Sequence, residues 1–264
     1  MSSRSSSGVA LVTGASSGIG RDLAHVLAEH GHDLILTARS EEALRALADE
    51  LAAKHGIRAT VLTADLANPA APRALYEAVR AGGFEVEILI NNAGFGASGR
   101  FDQIGLQTQL DMLQVNVAAL TALTHLFLPG MLARNYGRVM NVASTAAYQA
   151  GPRLAVYYAS KAYVLSFNDA VADELRHTNV TLTALCPGPT RTNFGERANV
   201  GTLPLFSQKV TMASRPVAEQ GYAGMMRGKR TVITGWTNKL SAFGTRLVPR
   251  RTAAMLARRL QEAR

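Results

Sequence analysis

Tyr157 and Lys161 stand four residues apart, and Ser144 lies thirteen residues before the tyrosine. Residues i and i+4 share one face of a helix, so in a helical stretch the phenol and the amine point the same way. A free phenol titrates at about 10, too high for ready proton exchange at neutral pH. A neighbouring ammonium favours the phenolate, and is expected to lower that value. Such a pair can give a proton to a substrate oxygen or take one from it. A serine hydroxyl beside it can hold the same oxygen as charge develops there. Tyr158 adjoins Tyr157, but the residue four positions on is Ala162, so Tyr158 reads as packing.

A second feature near the start gives the trio a purpose. The run Thr13-Gly14-Ala15-Ser16-Ser17-Gly18-Ile19-Gly20 follows an apolar segment and opens a helical one. Glycines there allow a tight turn and close approach of backbone to a pyrophosphate, and the helix amino end offers free N–H groups. A proton device and a dinucleotide cradle on one chain suggest hydride transfer between a nicotinamide and a carbonyl or alcohol, and the positive ring of the oxidised nicotinamide is expected to join the lysine in lowering the phenol's pKa.

The elements that must position these residues alternate along the chain. Strand-like segments are expected at 9–13, 33–38, 58–64, 86–90, 138–142 and 180–186, with a short one at 231–234. Helices are expected at 21–30, 41–54, 69–80, 108–133 and 156–176. This βαβ rhythm, with strands apolar throughout, predicts an α/β, Rossmann-like doubly wound parallel sheet of about seven strands with helices on both faces. The long apolar stretch from Met112 to Leu132 is interrupted by Asn116, His125 and Pro129, which favours a buried helix over a membrane span.

The glycine spacing, G-x-x-x-G-x-G, resembles the short-chain dehydrogenase/reductase family in its compact form. The likeness continues in order through Asp65, Asn91-Asn92-Ala93-Gly94, Asn116, Ser144, Tyr157-x-x-x-Lys161 and Pro187-Gly188-Pro189-Thr190-x-Thr192. The resemblance implies a catalytic set of Asn116, Ser144, Tyr157 and Lys161, with Asn116 holding a water in a proton relay through Lys161. It implies cofactor contacts from Gly14, Ser16, Ser17, Gly18, Ile19 and Gly20, and from Asp65 and Leu66 toward the adenine. Asn92, Ala93 and Gly94 would lie against its ribose, Lys161 would hold the ribose hydroxyls, and Pro187, Gly188, Thr190 and Thr192 would meet the nicotinamide end. Homodimers or homotetramers, paired through the two long helices, are the family's habit.

After the second strand the chain reads Thr37-Ala38-Arg39-Ser40. An acid here would bind the ribose 2′-hydroxyl of NAD; a guanidinium instead suits a 2′-phosphate. NADP(H) is therefore expected over NAD(H), with Arg39 and Ser40 as the phosphate anchors. No basic residue occupies Ser17 of the glycine turn to add a second charge.

The 264 residues, 47% of them hydrophobic, suffice for one domain with a sizeable core. Residues 1–7 read as a disordered leader and 8–264 as a single catalytic domain. A lid is expected at about 190–215, where prolines and glycines break the rhythm. Phe194, Leu203, Leu205, Phe206 and Met212 make it partly apolar, and Phe95 and Tyr148 are expected to complete a pocket for a hydrophobic ketone or 3-oxoacyl compound. One cysteine, Cys186, excludes an intramolecular disulfide and favours a reducing, cytoplasmic setting. The six histidines lack metal-ligand spacing.

The net charge of +9 is confined to the end of the chain. Of 28 Lys/Arg and 19 acids, ten basic residues and a single acid, Glu262, lie between Arg227 and Arg264; the preceding sequence is balanced at 18 of each. This basic extension, about 236–264, includes an expected amphipathic helix at 256–264. A solvated face or a subunit contact is the preferred reading, and weak contact with an anionic membrane the other; no nucleic-acid motif accompanies the charge. A rival to the enzyme is a non-catalytic dinucleotide-binding redox sensor, which would have no use for the Ser/Tyr/Lys set.

Overall fold

The computed structural model describes residues 8–197, 211–245 and 248–261. The expected leader and Leu203, Leu205 and Phe206 of the expected lid lie outside them.

Seven parallel strands form one sheet: β1 (Val9–Thr13), β2 (Leu34–Thr37), β3 (Ala59–Val61), β4 (Val86–Asn91), β5 (Gly137–Val142), β6 (Val180–Cys186) and, past a two-residue pair described below, β9 (Thr231–Ile233). Their order is β3-β2-β1-β4-β5-β6-β9, so the chain reverses direction across the sheet between β1 and β4. That switch point, at the carboxyl ends of the strands, is where such sheets bind ligands. β3 is shorter than the expected 58–64, yet Leu62 and Ala64 still donate to the Leu36 and Ala38 carbonyls, so the chain keeps beside β2.

Alternate residues serve opposite faces of the strands. Ala10, Val12, Leu34, Leu36, Ile88 and Ile90 pack with α1 (Gly18–Glu29), α2 (Glu41–His55) and α8 (Ser214–Met226). Leu11, Ile35, Leu89, Val139 and Leu182 pack with α3 (Ala71–Ala81), α5 (Leu120–Ala133) and α6 (Ala155–Glu174). Both faces are covered, which is why most strand residues are apolar; buried exceptions such as Asn91, Asn141 and Thr183 are hydrogen-bonded.

The expected helix at 108–133 begins at Leu106 and is not uniform. α4 (Leu106–Leu113) passes into a π-helical stretch, Gln114–Ala119, and then into α5. By length and composition this helix is apolar enough to cross a membrane. Its inner face, Met112, Asn116, Leu123, Phe127 and Met131, is buried on the sheet, whereas Leu106, Leu110, Leu113 and Leu132 remain exposed. The burial expected of the whole stretch is thus met by one side only.

Three helices were not foreseen, the first being the short α7 (Phe194–Arg197). α8 fills the stretch after the lid, with Pro216 in its first turn where no helical N–H is lost. α9 (Trp236–Gly244) follows β9, and α10 (Arg250–Gln261) begins six residues before the expected tail helix. β7 (Thr190–Arg191) pairs with β8 (Met212–Ala213) and clasps the two ends of the lid segment together.

Candidate active site

The glycine turn is shaped by what crowds it. Gly14 and Gly18 take positive φ, +66° and +57°, which side chains resist. A Cβ on Gly14 would stand 2.8 Å from the Asn92 amide nitrogen, and one on Gly20 would overlap the Gly14 carbonyl. Asn92 fixes the turn from the neighbouring strand end, donating from Nδ2 to the Thr13 carbonyl at 2.9 Å and to that of Gly14 at 3.2 Å. Thr13 Oγ1 accepts from the Asn92 and Ala93 backbone amides at 3.0 Å each. α1 then opens with Ser17 as its N-cap, extended and making no side-chain cap hydrogen bond, so its hydroxyl and the first-turn amides are left for a ligand.

These groups face a cavity of about 530 Å³. Ser16, Ser17, Gly18 and Ile19 line it, with Arg39, Ser40, Asp65 and Leu66 at one end and Asn92, Ala93 and Gly94 in the middle. Arg39 is exposed and has no ion-pair partner among the described residues. Ser40 caps α2 by accepting from the Ala43 amide at 3.4 Å, and Asp65 accepts from the Ala67 amide at 3.1 Å. Pro187, Gly188, Thr190 and Thr192 line the other end. Thr192 closes on the glycine turn, since a Cβ on Gly18 would meet its methyl at 2.9 Å. A bare turn, an uncapped helix amino end and a free guanidinium along one cavity fit a nicotinamide dinucleotide.

Ser144, Tyr157 and Lys161 also reach this cavity. Ser144 follows β5 and caps a 3₁₀ turn, Thr145–Tyr148, accepting from the Ala146 amide at 3.1 Å. Its hydroxyl donates to the Pro187 carbonyl at a long 3.4 Å, a bond easily redirected. Tyr157 and Lys161 lie one turn apart on α6. The buried ammonium donates to the Val142 carbonyl at 2.8 Å and stands 5.8 Å from the Tyr157 ring centre.

The electrostatics differ from the sequence expectation. Burial pushes the Tyr157 hydroxyl up to about 12, against a smaller lowering by its hydrogen bond with Ser144. Burial pulls Lys161 down to about 8. The expected depression of the phenol is therefore absent from the chain by itself: desolvation outweighs the Ser144 hydrogen bond, and Tyr158 raises the value further. Cys186 is fully buried and its thiol is pushed up to about 11 by that burial, so it packs and does not attack.

Asn116 sits in the π-helical stretch, buried and outside the cavity lining. Its Oδ1 accepts from the Phe95 amide, and its Nδ2 donates to the Phe95 carbonyl and to Ser160 Oγ, each at 3.0 Å. Ser160 in turn donates to the Tyr157 carbonyl at 2.7 Å. Asn116 thus ties the loop after β4 to the turn of α6 that carries tyrosine and lysine. Nothing in the sequence singled out Ser160.

A mixed wall surrounds the tyrosine. Phe194 packs its ring 5.2 Å from that of Tyr157, and Phe95, Leu154 and Tyr158 also line the cavity. Tyr148 does not: its hydroxyl reaches Cys186 Sγ at 3.9 Å and its ring packs on a cluster with Leu120, Ala143 and Val164. Gln149, next along, lines the cavity in its place. Asn238, Ser241 and Ala242 of α9, with Thr245 just past its end, add a side that the sequence did not reveal. Asn238 lies so close to Gly188 that a Cβ there would overlap its amide.

Behind the site runs a line of buried amides. Asn91 Nδ2 donates to Asn141 Oδ1 at 2.9 Å, Asn141 Nδ2 to Asn168 Oδ1 at 3.2 Å, and Asn168 Nδ2 to the Arg230 carbonyl at 3.1 Å. The line crosses β4, β5 and α6 and ends beside β9.

The short chain dehydrogenase family profile matches residues 8–201. A putative ketoacyl reductase of Streptomyces coelicolor is 38% identical over 182 residues, 68% of this chain and 69% of its own. A very-long-chain 3-oxoacyl-CoA reductase of Anas platyrhynchos is 31% identical over 245 residues, 85% of this chain and 77% of its own. A solved short-chain dehydrogenase from Sphingobium yanoikuyae, in complex with NADPH, matches with a TM-score of 0.81 at 32% identity, covering 91% of this chain and 93% of that one. A cleft built at the switch point of a parallel sheet, and likeness of this extent, make the chain a member of the short-chain dehydrogenase/reductase family of oxidoreductases.

Proposed function

We propose that the chain reduces a hydrophobic ketone or 3-oxoacyl compound to the corresponding alcohol, using NADPH. The observation that carries this is the meeting of Ser144, Tyr157 and Lys161 with the glycine turn in one cavity that Phe95, Leu154, Tyr158 and Phe194 also line. The names of the Streptomyces coelicolor and Anas platyrhynchos relatives favour an oxoacyl group as the reacting unit.

When bound, the nicotinamide supplies the hydride that adds to the carbonyl carbon. Ser144 turns its weakly held hydroxyl from Pro187 to the substrate oxygen. Tyr157, a firm proton holder at about 12, gives its proton to that oxygen as negative charge gathers there: the phenol O–H breaks and the alcohol O–H forms. The phenolate left behind is stabilised by Ser144 and by the Lys161 ammonium. With a value near 8, Lys161 can then return a proton at close to neutral pH. Asn116 and Ser160 hold the two walls of this device in register.

Arg39 is the basis for preferring NADP(H): it stands exposed and unpaired at the end of the cavity where a 2′-phosphate would lie. NADPH in the Sphingobium yanoikuyae structure agrees. The exposed Leu106, Leu110, Leu113 and Leu132, with Tyr163 on α6, support pairing of two copies through the long helices. The lone buried cysteine suits a reducing, cytoplasmic setting.

The test is oxidation of NADPH, with NADH alongside, over a series of ketones and 3-oxoacyl thioesters of increasing chain length. Turnover should rise with apolar length and favour NADPH. Equal use of both nucleotides would remove the role given to Arg39, and no turnover with any carbonyl would favour the redox sensor.

A further inference from the structure

We propose that α9 and α10 form a docking surface for an anionic lipid bilayer. α9 has two unlike sides. One lines the cavity through Asn238, Ser241 and Ala242, with Thr245 just past the helix end. The other presents Trp236, Leu240 and Phe243, at spacings of four and three that bring them onto one helix face. These side chains are 74%, 63% and 60% exposed. Three large apolar groups in nine residues, left in water, are not explained by the core of this chain, and a contiguous apolar patch of this kind marks an interaction site.

Charge identifies the occupant. Lys239 lies exposed within the ridge, one turn from both Trp236 and Phe243. On α10 the exposed Met255 lies between the exposed Arg251 and Arg258, again at spacings of four and three, while Ala253 and Ala257 face inward. No acid occurs anywhere from Gln220 to Gln261, and the segment from Arg227 to Arg264 holds the whole excess of positive charge. A second copy of the chain would bring this basic face against itself in a two-fold contact, with no acids from the same patch to answer it. An anionic bilayer answers both features at once. Its headgroups neutralise Lys239 and Arg251, and its acyl boundary accepts the Trp, Leu and Phe side chains, tryptophan being favoured at that depth.

Trp236 is the only tryptophan in the chain, so it reports on this surface without an added probe. The full-length protein is mixed with phosphatidylcholine vesicles made with or without phosphatidylglycerol, and emission and flotation are followed. With phosphatidylglycerol the emission should move to the blue, be quenched by brominated acyl chains, and return as salt screens the attraction. Leu240→Asp with Phe243→Asp should lower the vesicle partition at least about tenfold, because two apolar contacts are lost. Lys239→Glu with Arg251→Glu should abolish the preference for the anionic lipid. Circular dichroism and NADPH binding show that each variant is folded. Unchanged emission and flotation with anionic vesicles overturns the proposal. So does a blue emission already present without lipid that depends on protein concentration, which would mean that a second copy covers the face.

Discussion

Replacing Lys161 by methionine separates the cost of the active site from its use. The lysine is buried and its pKa falls from 10.5 to about 8. Keeping that amine charged inside the fold therefore costs about 3 kcal/mol at neutral pH. Methionine has similar length and no charge, so Lys161→Met removes this cost. It also leaves the Val142 carbonyl without its donor at 2.8 Å, a loss of about 1–3 kcal/mol. The net expectation at neutral pH runs from no change to a gain of about 2 kcal/mol, while turnover is lost. The sign with pH follows from the direction of the shift. Between about 8 and 10.5 the unfolded chain holds a proton that the folded one has released. Wild-type stability, measured against the variant, must then rise through that window, until near its upper end the wild type is the more stable by about 1–3 kcal/mol, the worth of the Val142 hydrogen bond that the variant lacks. Urea denaturation of both proteins across this range, followed by circular dichroism, gives the difference directly. A variant several kcal/mol less stable than wild type at neutral pH, or a difference that ignores pH, would refute the reasoning.

Tyr157→Phe should lower kcat by about 10²–10⁴-fold, the usual worth of a positioned general acid, with NADPH affinity by fluorescence titration nearly intact. Arg39→Ala should weaken NADPH binding by about 10–100-fold, as expected for lost charge-assisted hydrogen bonds, and leave NADH binding unchanged. Gly20→Ala forces a methyl onto the Gly14 carbonyl; it should cost about 1–3 kcal/mol in thermal or urea denaturation and remove nucleotide binding. Asn116→Ala strands both backbone groups of Phe95 and should cost about 2–5 kcal/mol in the same assay, with kcat falling more than KM rises.

The sheet was legible because a buried parallel strand must be apolar on both faces, and six such runs with helical stretches between them allow little else. The cofactor end was legible because its requirements are local: a turn that tolerates no side chain, an open helix end, a basic residue after β2. The remainder depended on contacts between distant segments. Asn116 stood out by position, but the π-helical stretch that carries it and its bonds to Phe95 and Ser160 are recorded by no local pattern. α8 was hidden by Pro216, Gly221 and Gly224; the last two are small because Leu185 and Val232 press against them. In the chain by itself the phenol's pKa stands above its ordinary value, because a lysine four residues away says nothing about how dry the site is. Tyr148 is expected in the pocket, but the 3₁₀ turn that Ser144 caps carries it onto Cys186.

A strand that is oily on both sides has no alternation to tell it how far to slide along its neighbour; shifted by one step, its leucines and valines would find other leucines and valines. The Asn91–Asn141 rung breaks that degeneracy. Misaligned by a single residue, Asn91 would keep only its bond to Thr124 and the buried Asn141 oxygen would lose its donor, a cost of about 1–3 kcal/mol. The amide line thus acts as a vernier: it sets the strand ends level, so that the turn after β1, the loop after β4 and the serine after β5 arrive at one height around the same cleft.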